Sequence, residues 1–259
     1  MSDLTVIVGG GYLPDQEAIL VALDRNGFNA VPVKPHYPRG LHVYHKGRYF
    51  LQRNYEAYAD GGFVQCGTDF MLWSDDAIRN KKDLKPWETP VDASALRRMQ
   101  KTELQEIYPE RIYVLPTGTF SSLRHHTSTT GQTVAVLRHL DYFALLLPMR
   151  RRLIIDTRAG KEAIDDPDFL SALEEAGLQP LFYEPDDIYH PLNDLVLPKG
   201  DTDIVFYDAA AKKLARILDG LNVESVPISI CNNPVGKIHC KTNEIRTSDI
   251  ACLDRLLAD

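Results

Sequence analysis

Two spacings of apolar residues alternate along this chain. In five segments apolar side chains recur every three or four positions, as in helices that pack on one face; these are residues 15–25, 92–107, 166–176, 208–218 and 248–257. Shorter apolar runs that suit strands lie between them, at residues 5–8, 29–33, 63–64, 70–73, 111–115, 133–137, 143–147, 153–155, 180–183, 203–206 and 223–228. This alternation predicts an α/β fold.

Turn and capping residues mark the ends of these helices. Asn26-Gly27, Gly177 and Gly220 follow three of them, where a glycine closes the last helical turn. Four of the helices begin next to Asp or Ser, whose side chains cap free backbone N–H groups. The pattern fits five copies of one helix-strand module, and it equally fits a doubly wound sheet.

Composition narrows the class of protein. The chain has 259 residues, of which 44% are apolar and 25% charged, which is ordinary for a globular protein with a real core. No apolar run approaches the roughly 18–20 residues of a membrane span, and no basic leader precedes an apolar stretch. We expect a single domain over residues 1–259, with no membrane partner.

Charge and cysteine content indicate the compartment and the partners. The net charge of −7 disfavours nucleic acid as a partner and suits a cationic ligand, although it also simply aids solubility. The four cysteines, Cys66, Cys231, Cys240 and Cys252, form no CxxC pair and no disulfide framework. We therefore predict a cytoplasmic protein in which one cysteine is a reactive thiol.

Two other motifs have weaker chemical interpretations. Gly9-Gly10-Gly11 lies between a strand and a helix, where a phosphate-binding loop would lie, but Pro14 replaces the last glycine of that fingerprint. A flexible turn is the alternative reading. His125-His126 lies in a Ser/Thr-rich stretch, residues 117–133, that we interpret as a solvated loop because no matching ligand pattern accompanies it.

A histidine, two acids and a cysteine form the sharper set. His139 and Asp141 alternate with a period of two, so an extended segment would present both on one face. Cys240 follows a turn-forming stretch at residues 232–236, where exposure beside polar groups favours a reactive thiolate. Asp60 precedes Gly61-Gly62, and the two glycines leave that acid exposed at the entry of a strand.

In this order, these motifs resemble those of the guanidino-group-modifying superfamily, the penteins. The run GKIHCKTNE at residues 236–244 is similar to the cysteine motif of these proteins, and His139-Leu-Asp141 to the HxD motif of the deiminases. Asp60-Gly-Gly62 resembles their acid-Gly-Gly segment. The resemblance implies a closed five-module α/β propeller, in agreement with the five helices predicted above.

The resemblance also implies roles for individual residues. Cys240 would be the nucleophile, His139 the general acid and base, Asp60 the group that orients His139, and Asp141 the carboxylate that binds the guanidinium. These enzymes carry a further acid in the first module that has no clear counterpart here. Asp69 is a candidate substitute, and another alignment places Gln65 at that position.

The implied activity is hydrolysis of a C–N bond in a small cationic guanidine, through a covalent thiouronium on Cys240, with no cofactor and no metal. Amidino transfer at the same site and a noncatalytic binding protein on the same scaffold are the alternatives. The sequence does not identify the guanidine, and it leaves a homodimer open.

Overall fold

Helices and strands alternate through the computed structural model, which describes residues 4–34, 38, 42–45, 48–51, 64–75, 111–117, 125–127, 133–135, 139–158, 160–186, 188, 191–231 and 236–252. The helices are α1 (Leu13–Arg25), α2 (Leu140–Phe143), α3 (Pro167–Glu175) and α4 (Lys212–Gly220), with short 3-10 turns at Pro148–Arg150, Lys161–Ile164 and Thr247–Cys252. The strands are β1 (Leu4–Gly9), β2 (Asn29–Val33), β3 (His42–His45), β4 (Arg48–Leu51), β5 (Val64–Cys66), β6 (Phe70–Ser74), β7 (Arg111–Leu115), β8 (His125–Thr127), β9 (Thr133–Ala135), β10 (Ala144–Leu147), β11 (Arg152–Asp156), β12 (Gln179–Tyr183), β13 (Leu195–Lys199), β14 (Thr202–Asp208), β15 (Glu224–Ile228) and β16 (Thr242–Arg246).

One sheet topology recurs four times among the described residues. The sheets have the strand orders β16-β1-β2, β5-β6-β7, β10-β11-β12 and β13-β14-β15. In each sheet the central strand pairs antiparallel with one neighbour and parallel with the other. Parallel neighbours need a crossover, which α1, α3 and α4 provide in three of the sheets. The α/β class is confirmed, and the closed five-module propeller stays a prediction.

Neighbouring sheets share apolar cores in a fixed order. The β5-β6-β7 sheet packs on β10-β11-β12 through a cluster that includes Phe70, Leu72 and Phe143. Leu145 on the other face of β10 packs on the β14 sheet, because successive side chains of a strand point to opposite faces. That sheet in turn packs on the β1 sheet through a cluster that includes Phe206. The four sheets therefore pack in the order β5-β6-β7, β10-β11-β12, β13-β14-β15 and β16-β1-β2.

The first helix is a prediction that the structure confirms, with its capping signal. It spans Leu13–Arg25 and buries Ile19 and Leu23 against the sheet. Gly27 adopts a positive φ of 80°, and its N–H donates to the Asp24 carbonyl at 3.0 Å. A glycine in this left-handed conformation ends the helix, as the Asn-Gly pair predicts.

Two predicted helices differ from the structure. The helix expected at residues 208–218 begins only at Lys212, because Asp208 ends β14 and its side chain accepts a hydrogen bond from the Ala210 N–H in the turn that follows. The helix expected at residues 248–257 is a 3-10 turn, Thr247–Cys252, within the described residues. The helix predicted at residues 92–107 lies outside them.

Gly10, in the run interpreted above as a candidate phosphate-binding loop, is required by packing against β2. A Cβ atom at Gly10 would lie 2.8 Å from the Val33 carbonyl oxygen at the end of β2. Such an approach is too close for any side chain, so glycine lets this turn pass over the neighbouring strand. The glycine is explained by the fold, and the Gly9–Gly11 run needs no nucleotide.

The expectation of a loop around the paired histidines is wrong. His125–Thr127 forms β8, which pairs antiparallel with β9. The pairing provides hydrogen-bond partners for backbone groups of both strands. A separate finding concerns membranes: among the described residues, no helix has the length and apolar character needed to cross a bilayer.

Candidate active site

A short turn carries the predicted nucleophile. Residues 236–241, called here the cysteine turn, lead into β16. Cys240 is the penultimate residue of this turn. The turn is fastened to two sheets by backbone bonds: the His239 N–H donates to the Asn193 carbonyl at 3.1 Å, and the Gly9 N–H donates to the Lys241 carbonyl at 2.8 Å. Cys240 is 7% exposed, so the expectation of an exposed cysteine after the turn-forming stretch is wrong, and the residue is buried.

Asn193 holds the cysteine turn from the side of β13. Its side-chain oxygen accepts from the backbone N–H of Lys237 at 2.7 Å and of Cys240 at 3.2 Å. Its side-chain nitrogen lies 2.9 Å from Asp141 Oδ2 and 3.2 Å from Cys240 Sγ. One fully buried amide thus fixes the nucleophile and the carboxylate relative to each other.

Asp141 is the group on which the other polar side chains converge. Its Oδ2 lies 2.7 Å from His239 Nδ1 and 3.7 Å from Cys240 Sγ. Its Oδ1 lies 3.8 Å from His139 Nδ1. Because Asp141 is only 2% exposed, these contacts act in a poorly screened environment where charge pairing is strong.

The structure brings His139, Asp141 and Cys240 together, but not through the local geometry expected. Asp141 lies in α2, a single helical turn, so the prediction that His139 and Asp141 share one face of an extended segment is wrong. The Tyr142 N–H donates to the His139 carbonyl at 3.2 Å and closes the turn. The buried His139 ring lies against the Tyr142 ring, with centroids 5.0 Å apart.

Two buried ion pairs brace the cysteine turn at its ends. Lys237 pairs with Asp208 at the end of β14, and Lys241 pairs with Asp15 in α1. Both lysine side chains are nearly inaccessible to solvent. Removing one partner from such a pair leaves an uncompensated buried charge, so each pair strongly determines the path of the turn.

A cavity of about 320 Å³ opens beside this cluster. Its polar lining is rich in acids and includes His239, while its walls are aliphatic. Among the described residues that line it there is no lysine and no arginine. The lining residues are Leu4, Val64, Gln65, Cys66, Gly67, Thr68, Asp141, Leu145, Leu146, Pro148, Met149, Leu192, Asp194, Val196, Leu197, Pro198, Asp203, His239 and Glu244.

Two of the lining acids have perturbed ionisation. Burial raises the pKa of Asp194 well above its ordinary value, although the charge of Lys237 and the Asp208 N–H oppose this shift. Burial likewise raises the pKa of Asp203 to about 6, against the opposing backbone hydrogen bonds from Met149 and Arg150 and the charge of Arg150. A cation in the cavity would favour the ionised form of both carboxylates.

The remaining predicted site residues lie elsewhere. Asp60, proposed to orient His139, falls outside the described residues. Asp69 lies at the surface, half exposed, and forms an ion pair with Arg151 at 3.0 Å. Gln65 lines the cavity, but its amide is bonded to β10: it donates to the Ala144 carbonyl at 2.7 Å and accepts from the Leu146 N–H at 2.6 Å.

Sequence reasoning missed Asn193 and Asp194 and gave His239 no role. His239 is part of the GKIHCKTNE run at residues 236–244, and its position next to Cys240 could have identified it as a site residue. Asn193-Asp194 precedes the apolar run of β13, and polar residues at the end of a buried strand were the signal there. Within the part of the chain that the structure describes, no group of three or more His, Cys, Asp or Glu side chains is arranged so that it could hold a metal ion.

Comparison with known proteins identifies the fold. No protein-family model matches the sequence, and no curated protein matches it either. Dimethylarginine dimethylaminohydrolase from Pseudomonas aeruginosa, a cysteine-to-serine mutant complexed with citrulline, is similar in structure with a TM-score of 0.61 and 9% identity, over 93% of this chain and 98% of that one. Agmatine deiminase of Enterococcus faecalis is similar with a TM-score of 0.54 and 10% identity, over 93% of each chain.

A third neighbour is an arginine dihydrolase from the ornithine–ammonia cycle in cyanobacteria, with a TM-score of 0.52 and 10% identity. The match covers 94% of this chain and 40% of that one. All three are proteins of the pentein superfamily. The resemblance inferred from the motifs is confirmed at the level of the fold.

Proposed function

We propose that this chain is a cysteine hydrolase that cleaves a C–N bond of a small cationic guanidine. The observation that carries the proposal is the contact of Asp141 with Cys240 and two histidines, next to an acidic cavity that Asp141 and His239 line. The neighbours support it by their chemistry: one was complexed with citrulline, whose ureido group is what hydrolysis of a guanidine leaves.

Binding comes first. Asp141 accepts N–H bonds from the guanidinium and offsets its charge, which fixes the plane of the group above the sulfur. In the absence of substrate, the Cys240 thiol lies within reach of the same carboxylate, at 3.7 Å. A bound cation compensates the Asp141 charge, so the site accommodates a thiolate best when substrate is present.

The thiolate of Cys240 then attacks the central guanidinium carbon and forms a tetrahedral adduct. A histidine donates a proton to the departing nitrogen, the C–N bond breaks, and a thiouronium remains on the sulfur. Water attacks this carbon after losing a proton to the same histidine. The C–S bond breaks, the thiolate is restored, and a urea or ureido product leaves.

We assign the acid and base role to His139. His239 is the second candidate, because it lines the cavity and has the shorter contact to Asp141. In our assignment, His239 helps to hold Asp141 in place while His139 transfers protons. The Asn193 amide, at 3.2 Å from the sulfur, stabilises the thiolate by donating to it.

A cationic electrophile tests the site. 2-Chloroacetamidine carries the amidinium charge and should alkylate Cys240 faster than neutral 2-chloroacetamide, while Cys66 and Cys231 serve as internal controls read by peptide mass spectrometry. Asp141→Asn should abolish the preference. Equal rates at all three cysteines would contradict the proposal, and so would an unchanged preference in the Asp141→Asn variant.

Turnover decides between hydrolysis and the alternatives. The chain is incubated with arginine, agmatine and methylated arginine, and ammonia, amine and ureido products are measured. Ureido products support hydrolysis, whereas transfer only to an added amine would indicate an amidinotransferase. If no guanidine gives a product, and Cys240 is alkylated no faster than the other cysteines, a noncatalytic binding protein is favoured.

A further inference from the structure

The cavity begins at Asp141 and His239, next to Cys240, and extends well beyond them. One end is formed by Asp141, His239 and Asp194, and the other by Thr68, Met149 and Asp203. Strand β13 runs between the two ends, from the residue after Asp194 to Pro198, which is in register with Asp203 on β14. Four residue steps along a strand span about 13 Å, so the ends are separated by roughly that distance.

Asp203 at the far end is a buried acid with unsatisfied bonding capacity. It is 1% exposed, and its Oδ2 accepts a hydrogen bond from the Met149 N–H at 3.1 Å. Its Oδ1 has no hydrogen-bond partner among the described residues. An unsatisfied buried carboxylate oxygen is costly in an unoccupied protein, and a ligand donor would remove that cost.

Arg150 acts on Asp203 through its charge and its backbone N–H. However, its guanidinium donates to the Asn222 carbonyl at 2.6 Å, on the protein surface. Asp194, towards the other end, repeats the pattern: it is 2% exposed, and its Oδ2 has no hydrogen-bond partner within the described part of the chain.

The wall between the acids is aliphatic. Leu145, Leu192, Val196 and Leu197 line it, and such a wall favours an unbranched alkyl chain over polar groups. None of the described lining residues is lysine or arginine.

We propose that Asp203 forms a second cation subsite, and that the preferred substrate is a dication: a guanidine at Cys240 joined by an alkyl chain to an amine at Asp203. This inference rests on the proposed function for the identity of the reacting end. The amine would donate to Asp203 Oδ1, which has no hydrogen-bond partner among the described residues, and its charge would be matched by that carboxylate.

The test compares agmatine with butylguanidine, which has the same alkyl chain but lacks the amine. A charge-assisted hydrogen bond contributes about 1.5–3 kcal/mol, so kcat/KM for agmatine should exceed that for butylguanidine by roughly 10- to 100-fold. Asp203→Asn should collapse this ratio to near one. Asp201→Asn, the same charge change at an exposed turn residue two positions away, should leave the ratio unchanged.

Calorimetry on the Cys240→Ser chain separates this inference from the proposed function. Tighter binding of agmatine than of butylguanidine, lost in Cys240→Ser/Asp203→Asn, supports the subsite even if no compound is turned over. Equal affinities overturn it, as does failure of both compounds to bind. Turnover of both guanidines at equal kcat/KM would also overturn the subsite while leaving the hydrolase intact. Circular dichroism and thermal melting confirm that the Asp203→Asn chain is folded.

Discussion

The Asn193 side chain contacts Cys240 twice: its oxygen accepts from the Cys240 N–H at 3.2 Å, and its nitrogen lies 3.2 Å from the Cys240 sulfur. The same nitrogen lies 2.9 Å from Asp141 Oδ2. A single amide therefore contacts both the Cys240 sulfur and the Asp141 carboxylate, the proposed nucleophile and the proposed substrate-binding group. Catalysis depends on such distances, because a displaced nucleophile loses its near-attack geometry.

Asn193→Ala should lower kcat more than it raises KM. The Asp141 carboxylate, which binds the substrate in our proposal, remains, whereas the Cys240 sulfur loses the amide that donates to it. The loss of one preorganised donor typically costs about 10²–10³ in kcat. The variant also leaves the Lys237 N–H without its acceptor, so the free energy of unfolding should fall by roughly 1–3 kcal/mol. Steady-state kinetics and urea titration measure the two effects. An unchanged kcat in a folded variant would remove Asn193 from the site.

The two histidines can be told apart by pH profiles. His139→Asn should remove the proton transfer, with a loss of about 10²–10⁴ in kcat and the disappearance of one limb of the kcat profile. His239→Asn retains a side-chain donor towards Asp141 and should raise KM while keeping both limbs. The opposite outcome, a lost limb only in the His239→Asn variant, would transfer the acid and base role to His239.

The raised pKa of Asp203 should make the free energy of unfolding decrease as pH rises. Its pKa is raised to about 6 in the folded chain, whereas an unfolded Asp has a pKa of about 3.9. Between those values the unfolded chain releases the proton first, so the free energy of unfolding falls as pH rises through the window and is level above it. Asp203→Asn removes this contribution.

Urea unfolding at pH 4, 5, 6 and 7 (spanning the window set by the two pKa values, about 4 to 6) checks this sign. The stability of Asp203→Asn relative to the parent chain should increase from the lowest pH to the middle of the range and then stay constant. Asp194, whose pKa burial also raises, contributes in the same direction in both chains and cancels in the difference. A difference that is flat, or that decreases with pH, would contradict the assignment.

The ion pair between Lys237 and Asp208 should behave as a structural unit. Lys237→Met leaves the Asp208 carboxylate buried and unpaired, which typically costs about 3–5 kcal/mol of stability. The double variant Lys237→Met/Asp208→Leu should recover most of that loss, since a well-packed apolar pair replaces the ions. Chemical denaturation of the single and double variants measures the coupling. Additive losses would show that the two side chains do not depend on each other.

How far the sequence predicts this fold depends on the kind of signal. Periodicity located α1, α3 and most strands of the sheets, because each of these elements buries one regular face. It failed at α2, where four buried residues form one helical turn too short to show a period. It also placed the start of α4 four residues early, because Asp208 reads as a cap although it ends a strand.

For the site, sequence motifs found the reactive types but not the arrangement. Cys240, His139 and Asp141 were recognisable from their motifs, and all three meet in the structure. Asn193 carries no motif, and it matters only because β13 brings it within bonding distance of a turn 44 residues later in the chain. Such contacts are set by tertiary packing, which local patterns do not encode.

The most direct test of the central claim is detection of the covalent intermediate. The chain is mixed with agmatine, quenched in acid within the first turnovers, and digested for peptide mass spectrometry. We expect a thiouronium adduct on the peptide that contains Cys240. The Cys240→Ser variant should show no adduct and should lose turnover. Product formation that persists in Cys240→Ser would contradict the claim that this sulfur is the nucleophile.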